Sequence, residues 1–273
     1  MPEAEKVRSG LNDFDVSFRT ARTSRPVVLA PARLHTNLAP PSISLPASAP
    51  ESSGAQSVND PQVQAFVRAV LDDDENVVKA HVDLLLSRGV SVQSIYLDLL
   101  APAARALGDM WQDDVCDFLG ATMGVGRLQL VLRDLSQMFV RDRPDEELAG
   151  RILLACLPGE QHSLGLFMVA EFFVRDGWEV HVGPPLSDEQ LLADVRSEWY
   201  DIVGFSVSCD SRLDHLKREI RRVRQASRNR DVLIFAGGRA FNEHPDLLER
   251  VGADASAANA ELAPERARQL LSM

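Results

Sequence analysis

What this chain of 273 residues lacks narrows its possible functions. It has three cysteines, Cys116, Cys156 and Cys209, an odd number, widely spaced and set among apolar residues. That excludes a disulfide framework and a Cys-rich zinc site, and each is expected to be a small buried residue. No run approaches the roughly 18 to 20 continuous apolar residues that a membrane span requires, and MPEAEKVRSGLNDFD lacks the apolar core of a signal peptide. A cytoplasmic protein with no membrane contact is expected. A basic excess is missing as well. The formal charge is −11, yet residues 1–58 are near balance with six Lys/Arg against five acids, so the acidic surplus lies in the remainder. An acidic body argues against a broad nonspecific DNA-binding surface.

What is present divides into three parts. Residues 1–58 contain LAPPSISLPASAPESSGAQS, where Pro and Ser interrupt any periodicity and too few large apolar residues remain to offset the entropy of ordering. A disordered Pro/Ser-rich tail is expected, with PVVLAPARL (26–34) either passive linker or a docking segment for a partner.

Residues 59–142 carry helical periodicity. Asp60 is the expected N-cap and Pro61 the first helical residue, with Val63, Phe66, Val67, Val70 and Leu71 on one face. A second helix, 74–87, sets Val77, Val78, His81, Leu84 and Leu85 in a stripe and closes at Gly89. In a third, 92–111, Ile95, Leu99, Leu100, Ala103 and Leu107 are in register and Pro102 predicts a bend. A fourth, 117–139, aligns Leu119, Met123, Leu128, Val131, Leu132 and Leu135. Short connections make these a four-helix bundle. The turn MWQDDVCDF is unusual, because Trp111 ends a helix beside an acidic loop.

After the charged linker RDRPDEELAG (141–150) the period changes. Over 148–273 five apolar runs, RILLACL, WEVHVG, DIVGFSVS, DVLIFAGG and the weak ADASAA, alternate with helical segments. The alternation predicts an α/β domain, a five-stranded parallel sheet in flavodoxin-like order 2-1-3-4-5. Ligands of such sheets sit at the carboxyl ends of the strands, here PGEQHSLG, FSVSCDS and FAGGRAF. Glu160, His162, Gly165, Ser206, Ser208, Gly237 and Gly238 are thereby expected to line one crevice. It has no nucleophile with a partnered base, so a binding protein and not an enzyme is expected. His81, His181, His215 and His244 read as structural or solvent-facing.

The spacing Glu160-x-His162-x-x-Gly165, then Ser206-x-Ser208 and Gly237-Gly238, resembles the cobalamin-binding signature Asp-x-His-x-x-Gly, Ser-x-Leu, Gly-Gly. The preceding bundle is similar to the helical cap of methionine synthase and of cobalamin photoreceptors. The resemblance implies a Rossmann-like cobalamin-binding domain in which His162 is the lower axial ligand of cobalt, displacing the cofactor's own dimethylbenzimidazole. It makes Glu160 the partner of the other imidazole nitrogen, Gly165 the opening of a slot for the nucleotide tail, Ser206 a hydrogen-bond partner of the benzimidazole, and Gly237 with Gly238 the slot wall. Imidazole suits a borderline metal, and a neighbouring carboxylate raises its basicity. Two departures stand out: Glu160 replaces the family's Asp, adding a methylene, and Ser208 replaces Leu, making that part of the pocket more polar.

Trp111 acquires two readings, a helix-end core residue or, by the same resemblance, the cover of the corrin's upper face. Upper-face histidines of the family have no counterpart here, since position 122 is Thr. Residues 100–136, joined to GEQHSLG and RDGWEV, are most similar to the AerR/PpaA antirepressors. The resemblance implies a light- or redox-responsive regulator of photosystem genes with adenosyl- or hydroxocobalamin, or alternatively haem, acting on a CrtJ/PpsR-type repressor. A corrinoid carrier for a methyltransferase system is the alternative, and an apo scaffold a third. The basic stretch RLDHLKREIRRVRQASRNR (212–230) repeats Leu213, Leu216, Ile220 and Val223 at helical spacing, so its Arg and Lys side chains read as a solvated outer face. Any DNA contact is expected to be secondary to a protein partner.

Overall fold

Asn59, and not Asp60, caps the first helix: its Oδ1 accepts from the Gln62 N–H at 3.1 Å while its own N–H donates to Gln62 Oε1 at 2.9 Å, a reciprocal capping pair. The computed structural model describes residues 27–28, 58–72, 75–141, 148–157, 163–182, 187–208 and 210–272. The bundle consists of α1 (Asp60–Asp72), α2 (Glu75–Ser87), one continuous third segment, and α5 (Phe118–Val140). That third segment runs from α3 (Val92–Ser94) through a π-helical stretch, Ile95–Leu100, into α4 (Ala101–Gln112). Pro102 explains the π turn. It has no N–H to give and its ring crowds the carbonyl four residues back, so the ladder widens and the Ala101 N–H bonds to Tyr96 O, five residues earlier. Between α4 and α5, Asp114 adopts φ 55°, which an Asp tolerates, and the Val115 and Cys116 N–H groups turn back to Met110 O at 2.8 and 3.2 Å.

The stripes expected in α1, the third segment and the later part of α5 are buried in one core. Two expectations are corrected. In α2 the buried residues are Val78, Val82 and Leu85, while Val77 and Leu84 are exposed; the apolar arc is wide, and α1 and α5 choose which edge of it they cover. In α5, Leu119 and Met123 are 63 % and 50 % exposed.

In the second half β2 (Arg151–Cys156), β3 (Glu179–Val182), β4 (Ile202–Ser206) and β5 (Leu233–Gly237) are parallel, in the order β3-β2-β4-β5. Four strands therefore take the expected order. The fifth does not form: ADASAA contributes a single bridge, Ala255 to Phe235, as Ala and Ser offer little for a pleated surface to pack. At the opposite edge β1 (Val27–Val28) pairs antiparallel with β3, Val28 opposite His181. Two residues of the segment read as tail or docking patch thus dock on this chain's own sheet.

Successive residues of β2 feed opposite faces. Leu153 and Ala155 pack with α7 (Asp188–Ser197) and α8 (Leu213–Ala226), and Ile152, Leu154 and Cys156 with α6 (Leu164–Arg175) and the helix Leu262–Leu271. Cys156 is buried as expected, Cys116 is half-buried, and Cys209 lies outside the described residues.

One helix joins the halves. From α6, Leu164, Met168 and Phe172 enter the bundle core while Leu166, Ala170, Phe173 and Val174 enter the sheet core; a helix apolar on two faces needs a core for each, and only Gly165 and Phe167 stay exposed among its described residues. Glu171 is buried at this joint, and Ser136 Oγ donates to its two carboxylate oxygens at 2.8 and 2.9 Å. Burial pushes the Glu171 carboxyl up, and the Ser136 hydrogen bond opposes it only in part. Its folded pKa lies above its unfolded one, so the native state binds the extra proton, and stability declines as pH rises from the unfolded value through the folded one. Glu171→Gln is expected to raise the Tm at neutral pH and to flatten the decline as pH rises above the usual carboxylate range, read by thermal circular dichroism.

Candidate functional site

The carboxyl ends of the strands finish level. Cys156 lies opposite Ser206 and Ser206 opposite Gly237, and the Val207 N–H donates to Gly237 O at 2.9 Å. Ser206 and Ser208 are half-buried there. Gly238 follows with φ 110°, and a Cβ on it would stand 2.2 Å from Val207 O, so the turn out of β5 lies on the backbone leaving β4 and admits only glycine. Gly165 and Gly237 behave differently. Among the described residues nothing lies within 4 Å of the position a Cβ would take at either, which leaves two openings along the same edge. Glu160 and His162 lie outside the described residues. Of the eight residues expected at the site, the structure sets Gly165, Ser206, Ser208, Gly237 and Gly238 along the strand ends.

The bundle is tied to this edge by two contacts that the motifs do not reveal. Arg239, directly after Gly238, donates through Nη1 to Asp109 Oδ1 at 3.0 Å, near the end of α4. Gln129 of α5 donates through Nε2 to Ser163 Oγ at 3.2 Å, one residue before α6 begins. Trp111, two residues beyond Asp109, is 44 % exposed and meets Phe118 edge-on at 6.3 Å. The core reading of Trp111 is therefore corrected. With Val115, Phe118, Leu119 and Met123 also exposed, this end of the bundle presents an apolar surface of the kind a ligand or partner covers. The one sequence signal for it is the MWQDDVCDF turn, since an apolar residue at helical spacing reads the same whether or not it finds a neighbour. Thr122 Oγ1 donates to Phe118 O at 2.7 Å within its own helix.

Elsewhere, the expected surface reading of the basic helix holds. Leu213, Leu216, Ile220 and Val223 are buried, and two of its arginines are engaged internally, Arg224 with Asp254 at 2.7 Å and Arg222 with Asp188 at 2.9 Å. His181 is structural: it is buried, Nδ1 lies 2.8 Å from Tyr200 Oη, and Nε2 lies 3.1 Å from Glu179. Burial alone would push Glu179 up, but hydrogen bonds from His181 and Arg151 outweigh it and hold its carboxyl below the usual value. His81 is half-buried beside Phe66, and His244 is exposed. Among the described residues no helix is long and apolar enough to cross a membrane.

Residues 150–268 match a B12 binding domain, and residues 62–118 match a second model of the same description. The sheet domain and most of the bundle are thus each covered. The chain is 29 % identical over 168 residues, 60 % of its length and 85 % of the relative's, to an uncharacterized 20.5 kDa protein in the bchF-crtJ intergenic region of Rhodobacter capsulatus. It is 20 % identical over 206 residues, 75 % of its length and 94 % of the relative's, to a corrinoid protein of Desulfitobacterium hafniense. Its fold is similar to that of the Methanosarcina barkeri monomethylamine corrinoid protein, with a TM-score of 0.67 at 18 % identity, covering 78 % of this chain and 100 % of that one.

Proposed function

Because this chain belongs to the B12-binding-domain proteins, we propose that it is a cobalamin-binding, light- or redox-responsive regulator of the AerR/PpaA type, acting on a CrtJ/PpsR-type repressor of photosystem genes. The observation that carries the binding half is the open space at Gly165 and Gly237 beside an exposed apolar bundle end, Trp111 with Phe118 and Leu119. These residues fit a corrinoid: a broad, flat ring needs an apolar cover, and a slender nucleotide tail needs places where no side chain stands. The regulatory half is supported by the relative encoded in the bchF-crtJ intergenic region.

Bound cobalamin would supply a cobalt centre whose coordination responds to light or redox state. His162 would be the residue that holds the cobalt through one imidazole nitrogen, and Glu160 would accept from the other and raise the ring's basicity. Ser206 and Ser208 offer hydroxyls to the polar tail, and Gly165, Gly237 and Gly238 keep its path clear of side chains. Trp111, exposed in this structure, would cover the bound ring and exclude water from it. The Asp109–Arg239 and Gln129–Ser163 contacts tie the bundle to the strand ends, so a change of ligand favouring one bundle position over another shifts the surface offered to the repressor; it acts only through differential affinity for the two positions. On this reading the protein binds and signals, and catalyses nothing.

The test is an absorption spectrum of the full chain reconstituted with hydroxocobalamin or adenosylcobalamin, in the dark and after illumination, beside His162→Ala. Wild type is expected to retain the corrinoid through gel filtration and to change its spectrum in light. His162→Ala is expected to bind at least about a hundredfold more weakly, since loss of a ligand's supporting partner alone costs roughly ten- to a hundredfold. Retention of haem and not of corrinoid overturns the cofactor, and retention of neither overturns the reading.

One observation favours a second function. The corrinoid protein of Desulfitobacterium hafniense is spanned over 94 % of its length, which supports a corrinoid carrier working beside a methyltransferase. Capture of the repressor by the loaded chain, changed by light or oxidation, favours the regulator; methyl exchange with a corrinoid methyltransferase favours the carrier.

A further inference from the structure

Asp188 opens α7, and His215 and Glu219 lie four residues apart on one side of α8, where the two helices pack together. Arg222 Nη1 takes one oxygen of each carboxylate, Asp188 Oδ2 and Glu219 Oε1. The remaining oxygens, Asp188 Oδ1 and Glu219 Oε2, are buried and accept no hydrogen bond from the described residues. Glu219 is 1 % exposed, so water cannot readily serve it. His215 Nε2 stands 3.4 Å from Asp188 Oδ1, and one ligand atom from each of the three residues lies within 4.8 Å of the others.

Two carboxylate oxygens left without donors in a buried place repel each other unless a proton or a cation stands between them. Burial pushes the Glu219 carboxyl up, Arg222 opposes it by its hydrogen bond, and Asp188 adds to the rise. The imidazole beside the pair distinguishes the two occupants. A shared proton leaves the imidazole a partner of Asp188 alone, whereas a metal ion gains it as a third ligand, and one nitrogen with two carboxylate oxygens is a donor set that zinc accepts. Arg222 already offsets one of the two negative charges, and metal–ligand distances of about 2.0 to 2.2 Å require the three side chains to close on the ion from their present spacing.

We propose that Asp188, His215 and Glu219 form a site for a divalent metal ion of the zinc class that cross-links α7 and α8. It is independent of the corrinoid's cobalt and uses none of the residues assigned to the corrinoid. The experiment titrates zinc chloride into the chelator-treated full chain, counts the zinc retained after gel filtration by elemental analysis, and follows the Tm. His215→Ala, Glu219→Gln and His162→Ala are compared; Glu219→Gln preserves side-chain volume and the contact with Arg222, and its metal-free Tm reports that the fold is kept. Wild type and His162→Ala are expected to hold one zinc per chain with a raised Tm, while His215→Ala and Glu219→Gln bind at least about tenfold more weakly and lose that rise. No zinc on wild type, wild-type binding by His215→Ala or Glu219→Gln, or loss of binding in His162→Ala each overturns the site. Hydroxocobalamin retention by the same variants is read in parallel, so failure of the zinc site and failure of the corrinoid reading are separate results.

Discussion

Gly238→Ala is expected to destabilise the protein by about 2 to 4 kcal/mol, combining a strained positive φ with overpacking, and to lower the Tm by roughly 5 to 15 °C. The cause is local. At φ 110° a Cβ meets Val207 O at 2.2 Å and the Val207 carbonyl carbon at 2.9 Å, so either the β5 turn or the backbone leaving β4 must move. Ser208 follows Val207 and Arg239 follows Gly238, so the same displacement disturbs one wall of the crevice and the Arg239–Asp109 tie to the bundle. Corrinoid retention is expected to fall together with stability. Gly237→Ala is the control: its Cβ enters open space, and its stability is expected to remain within about 1 kcal/mol of wild type. Denaturant midpoints of the two variants decide the matter; equal midpoints would show that the turn yields.

Gly165→Leu is expected to separate fold from function. Gly165 is exposed in the first turn of α6, and among the described residues nothing lies within 4 Å of the position its Cβ would take. Replacing a helical glycine by leucine stabilises a helix by up to about 0.8 kcal/mol, so the Tm is expected to hold or rise slightly. The new side chain fills the opening assigned to the nucleotide tail, and hydroxocobalamin retention is expected to fall by at least about tenfold, a loss typical of a site whose geometry is disturbed. Gel filtration followed by the absorption spectrum measures it. Wild-type retention in Gly165→Leu would mean that the tail does not pass this residue.

The pair shows how differently the signature glycines work. Both Gly165 and Gly238 are legible in the sequence as parts of one motif. Their physical roles are not, because one glycine is required by the backbone beside it and the other leaves a space open. The same holds for the apolar residues. Ile95, Leu99, Ala103 and Leu107 are buried as their spacing predicts, while Leu119 and Met123, at equally regular spacing, are exposed. Periodicity states which residues share a face; only the neighbouring elements decide whether that face is covered.

By itself the sequence determined the bundle and the alternating strands, the order of the four parallel strands, the Pro102 irregularity, and the strand ends where Gly165, Ser206, Ser208, Gly237 and Gly238 gather. Each follows from local rules: a period of 3.6 or 2, a missing N–H, or the crossover geometry of parallel strands. The tertiary structure alone decided that Val27–Val28 joins the sheet edge, that ADASAA yields one bridge, that α6 serves two cores at once, and that Asp188 meets His215 and Glu219. Those depend on residues far apart in the chain, whose meeting is set by how helices and sheet pack, a quantity no local pattern contains.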